Sequence, residues 1–200
     1  MECTIKQFIA DAKSIMKKGE GVEQQMAIGE RMKVLAKRDD LDRLGKRIGA
    51  GDGCTDAWVL HMEPDKSAVL CLAQFDPGYC SQAHNHGVWV VACGYRGTDT
   101  WKMYERLDDG SRPGYADLRG IGEVHLGPGS VSLIPDAPFD VHSHNNLGSR
   151  DSWEFVFLGR EPDMTKRMLF DPVTKKAWRS DFRGVSGALE KMNLKSFAGK

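Results

Sequence analysis

The sequence lacks the features that mark secreted, membrane-spanning and cysteine-zinc proteins. Its five cysteines are an odd number and include no CxxC pair. Residues 1–6 contain no apolar core or cleavage signature of a signal peptide. No apolar run approaches the length that spans a bilayer. We therefore expect reduced thiols, no structural zinc on cysteine, and a cytoplasmic protein that does not bind membranes.

An excess of charge of either sign is also missing. The chain has 28 Lys and Arg against 28 Asp and Glu in 200 residues, and the two signs are interspersed. Binding to nucleic acid or to an anionic membrane surface would need a basic excess or block. We therefore expect neither partner, and the length suits a single domain with a sizeable core.

Residues 1–50 favour helices. Apolar residues recur at helical spacing from Ile5 to Met16 and again from Met26 to Ala36, and glycines separate the two runs. Asp39-Asp40 favours a third short helix that ends near Gly45. We expect these helices to pack on the outside of the remaining domain, and a dimerisation surface is the alternative.

Residues 51–184 predict a barrel of short strands. The apolar runs alternate with turn residues such as Asp108-Asp109-Gly110 and Gly127-Pro128-Gly129. The predicted strands are 58–62, 68–73, 87–95, 99–106, 121–126, 130–134, 140–144 and 153–158, followed by a hairpin over 167–182. This spacing indicates an all-β sandwich or jelly-roll barrel. We expect residues 185–200 to form a loosely held tail.

Three histidines are the strongest functional signal. His84 and His86 are two residues apart, so in a strand both side chains point to one face. His142 lies in a later strand-like segment. Three imidazoles inside a barrel would bind a divalent transition metal and leave coordination positions open. The donor type suits iron, copper, nickel or zinc without choosing among them.

The residues around these histidines resemble the two motifs of the cupin superfamily. The first motif is matched by Gly78, five residues, His84-Asn85-His86 and later Gly97, and the second by Pro135, His142 and Asn146. The resemblance covers about residues 57–182 and implies a double-stranded β-helix with the N-terminal helices packed outside. Cupins often pair through strands or appended helices, so it also implies a homodimer.

The first motif lacks the glutamate that is the usual fourth metal ligand, and this limits which cupins the chain resembles. The motif position for the fourth ligand falls at about Val90. A three-histidine cupin without this glutamate is similar to the cysteine dioxygenase and thiol dioxygenase group, or to dioxygenases that cleave β-diketones. The resemblance implies Fe(II) on the three histidines, with a small-molecule substrate and O2 on the open face. Zinc, manganese, nickel and copper are the alternative metals.

Two further differences from the cysteine dioxygenases bear on the identity of the substrate. The substrate-binding arginine of cysteine dioxygenases would fall near His61, and their Ser-His-Tyr relay would fall at Phe155, Phe157 and Gly159. The resemblance therefore favours oxygen chemistry on a substrate other than cysteine.

Other polar residues have candidate roles at the site. His144 shares the inward face of His142 if the strand is regular, as a replacement ligand, an acid/base or a surface residue. His61 is a candidate for contact with substrate, and Tyr104 for the barrel lining or catalysis. A ligating histidine usually donates its second N–H to a carboxylate or carbonyl. Candidates for that partner are Asn85, Asp140, Asn146 and Glu154.

The leading hypothesis is a dioxygenase that inserts O2 into a small thiol or another anionic substrate. A C–C-cleaving diketone dioxygenase is close to it. A metal-dependent isomerase, hydrolase or lyase is a second class, and a metal-free or sugar-binding cupin that acts as a sensor is a third. These substrate statements follow from analogy, because one fold supports many functions.

Overall fold

A computed structural model describes residues 3–135, 137–161 and 166–199. The N-terminal segment forms α1 (Ile5–Met16), α2 (Val22–Leu35) and the single turn α3 (Leu41–Leu44). The Thr4 side chain accepts a hydrogen bond from the Gln7 backbone N–H and so caps α1. The short helix begins after Asp40 and ends at Gly45. The expected helices are thus confirmed.

The described residues after α3 are mainly β-structure with one short helix, α4 (Gly184–Glu190). The strands are β1 (Lys46–Arg47), β2 (Asp56–Met62), β3 (Val69–Phe75), β4 (Ala83–His84), β5 (Val90–Arg96), β6 (Asp99–Arg106), β7 (Leu118–Leu126), β8 (Val131–Ile134), β9 (Val141–Asn145), β10 (Ser152–Leu158), β11 (Met168–Asp171), β12 (Lys176–Arg179) and β13 (Phe197–Ala198). The predicted strands agree with these bounds to within a few residues.

The strands form two antiparallel sheets. One has seven strands in the order β1-β2-β3-β10-β5-β8, with β13 also paired to β2, and the other has six in the order β12-β11-β4-β9-β6-β7. Both sheets also pair strands that are distant in sequence, such as β3 with β10 and β4 with β9, which is typical of a jelly roll. The fold is therefore all-β, a jelly-roll barrel of two antiparallel sheets, as the sequence predicts.

The N-terminal helices cover the outer face of the seven-stranded sheet. Phe8 of α1 packs edge-on against Phe157 of β10, with ring centroids 5.6 Å apart. Gly29 of α2 lies so close to β8 that an added Cβ would be 2.6 Å from the Val131 side chain. Helices and barrel share one hydrophobic core cluster. The expected packing of the helices outside the barrel is thus confirmed, whereas the homodimer stays a prediction.

The C-terminal segment is held more firmly than the sequence indicates. Val185 and Leu189 of α4 are buried in the main core. Strand β13 pairs with β2, where the Gly199 N–H also donates to the Leu60 carbonyl at 2.8 Å. The expectation of a loosely held tail was wrong, because a short amphipathic turn among glycines carries little sequence signal. The division of the chain into residues 1–50, 51–184 and 185–200 stays a prediction.

Within the described part of the chain, none of the helices combines the length and the apolar character that crossing a bilayer requires.

Candidate metal centre

The three expected histidines converge between the two sheets. His84 of β4 pairs directly with His142 of β9, and their ring centroids are 4.4 Å apart. His86 follows β4, and its ring lies 5.3 Å from that of His84 and 5.2 Å from that of His142. One nitrogen from each ring lies within 4.8 Å of the others. Three ring nitrogens are thus close enough together to share one metal ion.

The surroundings of the His84 and His142 rings leave a nitrogen of each free to bind a metal. Nδ1 of His84 lies 2.9 Å from the Gln82 carbonyl, so it donates its proton there and leaves Nε2 with a free lone pair. Both nitrogens of His142 are buried and, among the described residues, have no hydrogen-bond partner. An unpaired buried polar ring is costly. A metal ion here would remove that cost, so the residues fit a metal.

His86 is held differently. Nη1 of Arg167 lies 3.1 Å from its Nδ1, and a guanidinium can only donate, so Nδ1 accepts. The neutral ring then carries its proton on Nε2. Ligation by His86 therefore requires this contact to rearrange.

The surroundings of all three rings favour the neutral form. Burial lowers the pKa of His84, His86 and His142 well below the usual histidine value, and the positive charge of Arg167 lowers it further. Neutral imidazole is the form that binds metal.

The histidines open onto a largely apolar cavity of about 110 Å³. Its apolar walls include Phe75, Val90, Trp101 and Ile134. The thiols of Cys54 and Cys71 also line it, and burial raises their pKa, for Cys54 to about 11. These thiols stay protonated near neutral pH and are poor nucleophiles.

Arg167 is the main site residue that sequence reasoning missed. It is 5% exposed, lines the cavity and donates from Nε to Asp52 at 3.0 Å and from Nη1 to the Asn85 carbonyl at 2.9 Å. The residue directly precedes β11, which pairs with β4 beside His84. Nothing in the linear sequence says that the last hairpin lies next to the histidine pair, so no local signal could have found it.

A glycine-rich loop closes one side of the cavity. Gly51, Asp52, Gly53 and Cys54 all line it. A Cβ added at Gly53 would lie 2.7 Å from Cε1 and 2.9 Å from Nε2 of His84. Only glycine lets the loop approach the ring this closely.

A second group of polar residues lies beside the histidines. Nδ1 of His144 is 2.7 Å from Oδ2 of Asp99 and 3.8 Å from Oε1 of Glu154. The Trp101 indole N–H donates to Oε2 of Glu154 at 3.1 Å. His144 is buried and lines the cavity, so it is not a surface residue.

The structure places His61 and Tyr104 away from the cavity. Val59 of β2 pairs with Cys71, which faces inward, but a register shift then pairs His61 with Leu70, which faces the helices. His61 there contacts Glu63 at 3.1 Å. Tyr104 pairs with Val141, one residue before His142, and packs in a small cluster outside the six-stranded sheet. The expected contact of either residue with substrate does not agree with these positions.

Two of the residues expected to accept a hydrogen bond from the ligating histidines bond elsewhere. Asn85 donates to Asp140 at 3.0 Å, and Asn146 donates to the backbone carbonyls of Phe75 and Arg150. These contacts fix loops and do not reach the three histidines. Of the four candidates, Glu154 alone lines the cavity.

Comparisons with known proteins give similarity of fold. No protein-family profile matches the chain, and no curated protein does. The DMSP lyase DddQ from Ruegeria pomeroyi DSS-3 is similar with a TM-score of 0.42 and 18% identity, over 58% of this chain and 51% of that one. An oxalate oxidase in complex with glycolate gives 0.40 and 16%, over 56% and 54%. The chain thus spans about half the length of these two proteins.

A third similar structure is an uncharacterized protein with a double-stranded β-helix domain from Klebsiella pneumoniae subsp. pneumoniae MGH 78578. The TM-score is 0.44 and the identity 14%, over 66% of this chain and 94% of that one. At these identities the three likenesses concern the fold alone.

Proposed function

We propose that the protein is a non-heme Fe(II) dioxygenase that acts on a small anionic substrate, a thiolate or an enolate. The observation that carries the proposal is the cluster of the buried His84 and His142 with the half-buried His86, in which both nitrogens of His142 lack a partner among the described residues. When bound, Fe(II) would supply open coordination positions and the electrons that activate O2.

The charge of the site supports an anionic substrate. Three neutral ligands leave the full charge of a divalent ion uncompensated, which favours an anion beside it. The buried guanidinium of Arg167 also lies at the cavity wall, where Asp52 is its ion-pair partner. A carboxylate or similar group on the substrate could share this planar guanidinium with Asp52.

The cavity limits the size of the substrate and the access of water. About 110 Å³ accommodates a molecule of a few heavy atoms. The apolar walls exclude water and strengthen every charge interaction inside. His144 remains the proposed acid/base group, because its Nδ1 bond to Asp99 leaves Nε2 as the acceptor atom.

A non-redox metal-dependent lyase, isomerase or hydrolase is the second candidate. The observation that favours it is the buried Glu154 and His144 pair at the cavity, two groups that can carry and release protons. Burial and the nearby Asp99 raise the pKa of Glu154 well above its usual value, which favours the protonated form that a general acid needs. Such an enzyme would work without oxygen.

The test is oxygen uptake by protein reconstituted anaerobically with Fe(II), across a panel of small thiols and β-dicarbonyls, with metal content measured in parallel. We expect stoichiometric uptake with one substrate class. His86→Ala should abolish metal binding and turnover, whereas His125→Ala, at an exposed histidine of β7, should leave both intact. Full activity of His86→Ala would contradict the assignment. Turnover without oxygen would favour the second candidate.

Arg167→Lys tests the recognition of the anion. Lysine keeps the charge but loses the planar fork, so we expect KM to rise by about tenfold or more with the metal content unchanged. Arg150→Lys, at an exposed loop position, is the control. An unchanged KM for Arg167→Lys would remove this residue from the binding site.

A further inference from the structure

Asp99, His144 and Glu154 form a second cluster of metal-binding side chains next to the three histidines. One donor atom from each lies within 4.8 Å of the other two, and the residues are 2%, 5% and 2% exposed. The His144 ring centroid is 5.0 Å from that of His142 and 5.5 Å from that of His84. His144 and Glu154 also line the cavity onto which the three histidines open.

Apart from His144, no side-chain cation among the described residues pairs with the two carboxyl groups of this cluster. In the described part of the chain, the ion pairs of Asp99 and Glu154 go to His144, so two carboxyl groups face one imidazole. Burying a carboxylate is costly unless it is paired. A divalent cation would compensate both.

An unpartnered atom points to a missing ligand. Oδ1 of Asp99 is buried and has no hydrogen-bond partner among the described residues. Its other oxygen contacts His144, so the free oxygen belongs to the same small group of donors. Such orphaned buried atoms are rare in native proteins.

The cluster is also held in place from outside. The Trp101 indole N–H orients Glu154, and the Phe75 ring stacks on His144 with centroids 4.5 Å apart. Supporting contacts of this kind fix the ligands of metal sites. Two oxygens and one nitrogen are donors that suit Mn²⁺, Fe²⁺ and Zn²⁺.

We propose that Asp99, His144 and Glu154 bind a second divalent cation beside the His84, His86 and His142 site, so that the cavity holds a two-metal centre. Two adjacent cations can bind both ends of a small anionic group. This inference does not depend on the dioxygenase reaction. The competing explanation is a proton on Glu154, which would neutralise the cluster without a metal.

The test is the number of Zn²⁺ ions bound by the full chain, measured by equilibrium dialysis and elemental analysis. We expect close to two per chain in the wild type. Asp99→Asn and Glu154→Gln should each bind close to one, and so should His84→Ala. Glu123→Gln, at an exposed carboxylate of β7, is the matched control and should keep two. Circular dichroism checks that each variant is folded.

The outcomes separate this site from the three-histidine site. One Zn²⁺ in the wild type that Asp99→Asn retains and His84→Ala loses would overturn the proposal. One Zn²⁺ that Asp99→Asn loses and His84→Ala retains would support the second site and contradict the proposed function. Mn²⁺ titration of the wild type followed by electron paramagnetic resonance needs no variant. If the second equivalent of Mn²⁺ weakens the resonance signal through spin coupling, the two ions are adjacent and the proposal is supported. Two independent Mn²⁺ signals, or saturation at one equivalent, would contradict it.

Discussion

Gly53 allows the loop over the cavity to touch a candidate ligand. A Cβ at this position would lie 2.9 Å from Nε2 of His84, closer than real side chains approach. We expect Gly53→Ala to push the ring out of place and weaken Zn²⁺ binding by about 10- to 100-fold, the range seen when groups around a metal site are altered. Isothermal titration of the folded variant measures this.

Gly120→Ala is the matched control for that change. Gly120 has open space around an added Cβ. The control should bind metal as the wild type does. Equal affinity of Gly53→Ala and the wild type would mean that His84 is not a ligand.

Asp108 contributes stability that depends on pH. Arg106 binds both of its oxygens, and the Gly110 and Asp117 N–H groups also donate to it, so that the pKa falls to about 2. A lowered pKa stabilises the fold above the unfolded value near 4, and this contribution is lost as the pH falls towards 2. We expect Asp108→Asn to cost about 1–2 kcal/mol near neutral pH and much less near pH 2.

Urea unfolding across this pH range measures the difference. Asp109→Asn, in the same turn but exposed, should change stability little at any pH. A cost for Asp108→Asn that does not vary with pH would show that the loss has another origin.

The alternation of side chains between the two faces of a strand explains which elements the sequence could predict and which it could not. Alternation of apolar residues located most strands and put His142 and His144 on one face. A bulge in β2 is invisible to that pattern, yet it turns His61 from the cavity to the helices. A shift of one residue would change the facing residues of β10 in the same way. Two positions of the Ser-His-Tyr relay, counted from His142, fall there on Phe155 and Phe157. Phe157 packs on α1, and Glu154 faces the cavity.

Helix α4 ties the end of the chain to the core. Leu189 is fully buried in the main cluster. We expect Leu189→Ala to lower the free energy of unfolding by about 2–5 kcal/mol, the cost of a cavity at a buried leucine. Denaturant titration measures the change, with the exposed neighbour Glu190→Ala as the control. A loss below about 1 kcal/mol would mean that α4 packs loosely in solution.

The whole molecule should unfold as one unit, because the helices and most of the barrel share the main hydrophobic cluster. We expect Phe8→Ala to cost about 3–5 kcal/mol and to keep coincident midpoints for far-ultraviolet circular dichroism and tryptophan fluorescence. Val22→Ala, at a side chain that is 63% exposed, is the control. Separate transitions for helix signal and fluorescence would show that the N-terminal segment is an independent unit.

At the level of the molecule, local patterns predicted the class of fold and the three histidines, because both depend on short-range periodicity. The rest of the candidate site depends on contacts between distant segments. Arg167 reaches His86 through the pairing of β11 with β4, and Asp99 reaches His144 across β6 and β9. Such contacts have no counterpart in the spacing of residues along the chain.

Trp101 also has an optical consequence. Its indole is fully buried, 5.0 Å from the ring of His142 and 5.3 Å from that of His144, and its N–H binds Glu154. Among the described residues, Trp101 is the tryptophan that lines the cavity. A paramagnetic ion among these rings would quench its emission, and a filled-shell ion such as Zn²⁺ would mainly shift it. The chain thus carries its own fluorescent reporter of what occupies the barrel.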